Sequence, residues 1–144
     1  MVPNAGPATT APGKGEATMP AFDDQDTAGE ERAVFERDRW VRVMCDHSAE
    51  GVWHRDGSAP PVSALPVPET LQARILAWQR TFEESARDDG SVAAPGFGAE
   101  GLAIAREVKR HLPGWTVVYF DEDAYARVRG KAAPGDRGAY EYEV

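Results

Sequence analysis

The chain has 144 residues, 42% of them apolar and 28% charged, with a net charge of −8. That is the composition of one soluble globular domain, and with no run of about 18 apolar residues it excludes a membrane-spanning helix. Its 16 basic residues face 24 acidic ones and form no basic stripe, which disfavours nucleic-acid binding through phosphate neutralisation.

The first 30 residues are rich in Pro, Gly, Ala, Thr and acids, with Phe22 their only aromatic. Lys14 stands against five acids there, so half of the net charge sits in this stretch. Such a segment buries too little apolar surface to offset its ordering entropy. Residues 1–38 are therefore expected to be a disordered acidic tail and lead-in. The start has no basic n-region and no apolar h-region, so no secretory signal is expected. Cys45 is the only cysteine, which with the missing signal points to a reducing cytoplasm.

Trp40 to Asp46 alternates as a strand does, with Val41, Val43 and Cys45 on one face and Trp40, Arg42, Met44 and Asp46 on the other. A turn-like His47–Gly51 leads to Val52-Trp53, a second short strand or a loop. Pro60, Pro61, Pro66 and Pro68 punctuate a long connection. Pro68-Glu69-Thr70 opens a helix whose stripe is Leu71, Ile75, Trp78 and Phe82. A second helix is expected from about Gly98 to Leu112, stopped by Pro113-Gly114, with Phe97, Gly101, Ile104, Ala105, Val108 and Leu112 on its buried side. Trp115 to Phe120 is apolar on both faces and predicts a central, buried strand. The fold expected is α+β, or small α/β: a β-(β)-α-α-β unit over 39–121 with two helices on one face of a small sheet. Residues 122–144 are expected to be a flexible C-terminal segment, with a candidate edge strand at 139–144.

Four sets of residues invite a chemical reading. Gly96, Gly98 and Gly101 spell G-x-G-x-x-G at the start of a helix, and Asp121 ends the next strand at the spacing of a ribose-binding acid. The motif needs a strand running into its first glycine. Here Asp88 to Pro95 supplies one β-former and a proline, so close helix packing by Gly101 is the preferred reading. Cys45 and His47 share a face, the arrangement of a thiol with its base, but no oxyanion donor or orienting third group accompanies them. A buried structural cysteine is preferred. Cys45, His47 and His54 are candidate metal ligands, but C-x-H-x6-H matches no familiar zinc spacing. His111 suits the C-terminal end of its helix dipole. Glu83, Glu84, Asp88, Asp89 and Asp121 to Asp123 can supply acid–base pairs, with solvated helix-end charge as the preferred reading. No cofactor is expected.

In order along the chain come Gly51-Val-Trp53, Asp56-Gly57, Leu65-Pro66, the helix with Leu71, Leu76 and Trp78, Glu100-Gly101, and the strand Trp115-Thr-Val-Val-Tyr119. This layout resembles a widespread group of small bacterial α/β proteins, similar in size and architecture to the immunity proteins of toxin systems. The resemblance covers residues 40–121 and implies a shared fold more than a shared activity. The function expected is a non-enzymatic protein-binding module, immunity- or inhibitor-like, with an unidentified protein partner, and no nucleic acid or membrane partner. A homodimer would help so small a core. The alternatives are a small enzyme using Cys45 and His47, and a nucleotide-binding protein using Gly96 to Gly101.

Overall fold

The computed structural model describes residues 20–87, 92–128 and 136–144. The chain divides into two units, 1–30 and 31–144. The described part of the first, residues 20–30, is helical and belongs to α1 (Pro20–Asp38). Residues 20–38 are helical, and Phe35 is completely buried in the core of the second unit. Glu, Arg and Ala in the run from Glu30 to Arg37 favour helix, and one large aromatic suffices to anchor its end. Residues 1–19 lie outside the described part.

The strands are β1 (Trp40–Val43), β2 (Val52–Trp53), β3 (Thr116–Phe120) and β4 (Glu141–Glu143). The sheet order is β2-β1-β3-β4. β1 pairs antiparallel with β2, and Gly51 makes this return possible. Its φ of +92° suits glycine, and a Cβ there would stand 2.7 Å from Ile75 Cγ2. β1 and β3 are parallel, with Val41 opposite Val117 and Val43 opposite Tyr119. Parallel neighbours require a crossover, here the long segment holding α2 (Glu69–Ser85) and α3 (Phe97–His111).

The strand alternation is as expected. Val41, Val43, Val52, Val117 and Tyr119 point into the core and are buried. The stripe of α2 is buried too, with Gln79 added to it. Against expectation, β3 is buried on one face only: Thr116, Val118 and Phe120 stay half-exposed on the other. There Arg42 lies over the Trp40 ring, with 5.3 Å from its Cζ to the ring centroid, and donates to Glu141 at 2.6 Å. Helix α3 lies against β3 and β1, and α2 against α3, so the sheet carries its two long crossover helices as a layered α+β fold.

The segment after 121 has regular structure where it is described. It contains α4 (Glu122–Val128), and β4 takes the edge position considered for 139–144. Asp121 explains both. Its carboxylate accepts from the Ala124 N–H, capping α4, and from the Tyr142 hydroxyl, tying down β4, each at 2.9 Å. Phe120, Tyr125 and Tyr140 pack together beside it, with ring centroids 5.0–5.5 Å apart. Residues 129–135 lie outside the described part. Among the described residues, no helix is long and apolar enough to cross a membrane.

Candidate functional site

The parallel pair gives the sheet two distinct ends. At the carboxyl end, the exits of β1 and β3 meet the N-terminus of α3, and most of the residues singled out from the sequence gather there. The amino end holds the start of both strands and the C-termini of α1 and α3.

Cys45 follows β1 with its side chain still in the core alternation, and only 3% of it is exposed. Burial pushes its thiol far above its ordinary pKa, and the nearby carboxylates of Glu122, Glu83 and Asp46 push in the same direction. A catalytic thiol needs the opposite environment. His47 is exposed and rests on Phe82, ring centroids 5.4 Å apart. No hydrogen bond joins it to Cys45 among the described residues.

The glycine motif is built into the packing. Gly96 precedes α3 with φ +76°, the left-handed geometry glycine adopts most readily. Tyr119 donates its hydroxyl to the Gly98 carbonyl at 3.0 Å, and the Trp78 indole N–H donates to the Phe97 carbonyl at 3.1 Å. A Cβ on Gly101 would lie 2.8 Å from the Tyr119 hydroxyl and closer still to the Trp78 ring. Gly98 faces the carboxylate of Asp123, whose Cγ would be 2.9 Å from a Cβ at that position. An acid therefore occupies the mouth of the helix where a pyrophosphate would need to sit, and it complements the helix dipole itself. Upstream of the motif, Val92 makes an isolated bridge to Ala86, and Ala94 to Gly96 form a bend and turn. Residues 88–91 lie outside the described part. Glu100, inside the motif, accepts two hydrogen bonds from Arg74 of α2 at 2.8 and 2.9 Å, which hold its carboxyl below the ordinary range. Asp121 is engaged with Ala124 and Tyr142.

His54 lies apart from Cys45 and His47 and is 2% exposed. Its Nε2 meets Glu31 Oε1 at 2.7 Å, its ring packs on Phe35 at 4.3 Å, and its Nδ1 is buried with no partner in the described structure. The three candidate metal ligands are not brought together as a cluster among the described residues. His54 holds the last turns of α1 instead. Of the acid–base candidates, Glu83 accepts from Gln79 at 3.1 Å, Asp123 faces Gly98, and Asp88 and Asp89 lie outside the described part.

The amino end is different. A groove of about 370 Å3 is lined by Glu36, Arg39, Pro66, Leu112 and Trp115. The last turn of α3 carries Lys109, Arg110 and His111, and the Lys109 ammonium donates to the Trp115 carbonyl at 2.6 Å. Of the groove residues, Pro66, Leu112 and Trp115 read in the sequence only as turn and core positions, and Glu36 and Arg39 did not stand out. The signal available there was a helix-to-strand junction, Asp38-Arg39, with no glycine in it.

A family model described as "Serratia CdiI immunity protein-like" matches residues 39–122. The match covers more than half of the chain, and the chain belongs to that family. It agrees with the resemblance to toxin-system immunity proteins drawn from the core and turn residues. No curated protein and no solved structure matches the chain.

Proposed function

We propose that this chain is an immunity protein that binds a protein toxin and occludes it, with no catalysis of its own. The observation that carries this reading is the family match, which spans everything from the start of β1 to the start of α4. The chemistry of the alternatives supports it from the other side. Cys45 sits where a thiolate is disfavoured, and the glycine motif serves the contact of α3 with Trp78, Tyr119 and Asp123. A rigid domain with a formed core suits such a role, because partners that dock on a preorganised surface lose little entropy at association. A reducing cytoplasm is the compartment that fits a lone buried cysteine.

The test is co-expression with the product of the gene neighbouring this chain's own, which on this reading is the toxin. Cells carrying both are expected to grow, cells with the toxin alone to stop, and the purified pair to form a complex of fixed stoichiometry. Equal toxicity with and without the chain, and no complex between the purified proteins, would refute the reading.

A further inference from the structure

The amino-end groove holds a residue whose side chain the fold does not use. Arg39 closes α1 with φ +49°, in the left-handed region that glycine occupies without penalty and arginine does not. Its backbone is fixed from both sides. Its N–H donates to the Phe35 carbonyl at 2.7 Å, and its carbonyl accepts from the Thr116 N–H at 2.9 Å. A glycine would make both bonds. The guanidinium is exposed and makes no hydrogen bond or ion pair among the described residues. Arg37, Arg42, Arg74, Arg110 and Arg137 each sit on a carboxylate, while Arg32, Arg55, Arg80, Arg106 and Arg127 share the lack of an ion pair among the described residues; what sets Arg39 apart from these is its left-handed backbone. An unfavourable backbone conformation kept for a side chain idle in the fold is the pattern of a functional constraint.

The groove beside it is of mixed polarity, with apolar side chains forming part of its wall. Pro66, Leu112 and Trp115 line it, and Leu112 and Trp115 remain half-exposed although each also touches the core. Tryptophan and arginine, both lining a concave surface of mixed polarity, are residue types enriched among those that dominate binding energy at protein interfaces. An unpaired, planar guanidinium recognises a carboxylate through two parallel hydrogen bonds.

We propose that this groove is a contact through which the chain holds its toxin. An apolar side chain of the toxin seats on Pro66, Leu112 and Trp115, and a carboxylate next to it pairs with Arg39. The proposal rests on the immunity reading and adds to it the surface and the chemistry of the occupant. Charge selects that occupant. Arg39 asks for one carboxylate, and Glu36 on the same rim disfavours a more acidic segment. A second copy of this chain is the poorer candidate, because a net charge of −8 on each opposes self-association.

The experiment titrates the full-length chain with the purified toxin that the co-expression test identifies, alongside Arg39→Gly, Arg39→Lys and Arg39→Glu, with thermal melts of all four. Arg39→Gly is expected to weaken binding at least tenfold while Tm stays the same or rises. Arg39→Lys should retain part of the affinity, and Arg39→Glu should bind weakest of the four. If the parent binds and the Arg39 variants bind equally well, the groove is overturned and the immunity reading stands. The groove is overturned as well if Arg39→Gly loses affinity together with Tm, since Arg39 would then be a structural residue. A parent chain that fails to bind the toxin removes both.

Discussion

Gly101 is the residue at which packing and nucleotide binding make opposite predictions, and Gly101→Ala separates them. A methyl at this position would lie 2.8 Å from the Tyr119 hydroxyl and closer to the edge of the Trp78 ring. Both neighbours are buried and each is held by a hydrogen bond to the first turn of α3, so neither can swing away freely. Overpacking a formed core costs about 1–3 kcal/mol. Disturbing one of the two buried hydrogen bonds adds about 1 kcal/mol. Alanine returns about 1 kcal/mol as the better helix former. The net expectation is a loss of about 2 kcal/mol, or roughly 10 °C in Tm for a unit of this size. Gly98→Ala is the internal control. Its methyl meets only the exposed carboxylate of Asp123, which can rotate out of the way, so Tm should move by less than about 3 °C. Adding Asp123→Ala to Gly98→Ala should recover that change. The assay is thermal unfolding followed by near-ultraviolet circular dichroism, which reports on Trp78. A Gly101→Ala variant as stable as the parent would refute the packing argument. Micromolar binding of NAD or ATP, abolished by Gly98→Ala, would restore the nucleotide reading in its place.

Phe35→Ala removes a fully buried ring that touches His54 and Trp115, with centroid separations of 4.3 and 6.1 Å, and should cost about 3 kcal/mol. An unchanged urea midpoint would mean that the end of α1 is not part of the folded unit. Cys45 gives a pH prediction. Burial raises its thiol pKa in the folded state above the unfolded value, so its contribution is complete below about pH 8.5 and is lost as pH rises. Stability should fall by up to about 1.4 kcal/mol per unit above that point, and Cys45→Ala should remove this part of the slope. Denaturant titrations at pH 8, 9 and 10 measure it, and identical slopes for parent and variant would contradict the burial argument. Thiol labelling of Cys45 should likewise be slow in the folded protein and fast in denaturant, whereas rapid labelling of the folded protein at neutral pH would revive a catalytic role.

Local pattern sufficed wherever one element carries its own periodicity. The alternation around Val41 and Val43, the Leu71–Phe82 stripe and the apolar face of α3 are properties of consecutive residues, and each predicted its buried side. The immunity-like resemblance was legible for the same reason, since it rests on core and turn residues in chain order. The glycine motif could also be doubted from sequence, because the missing strand before Gly96 is a local fact. What only the tertiary structure decided are pairings across distance. The place of Phe35 depends on His54 and Trp115 offering it a pocket, which the composition of an acidic, weakly amphipathic helix does not encode. Asp121 read as a strand end, yet its partners Ala124 and Tyr142 come together only when β4 closes the sheet edge. The half-exposed face of β3 follows from both crossover helices lying on its other side, although both faces are apolar in sequence. Arg39 is the clearest case. An arginine between a helix and a strand draws no notice until the fold forces its backbone to a φ of +49° and sets it in one groove with Trp115, a residue 76 positions away. Periodicity determines which face of an element is buried, but chain closure determines which distant residues share a surface, and a binding site is made of the latter.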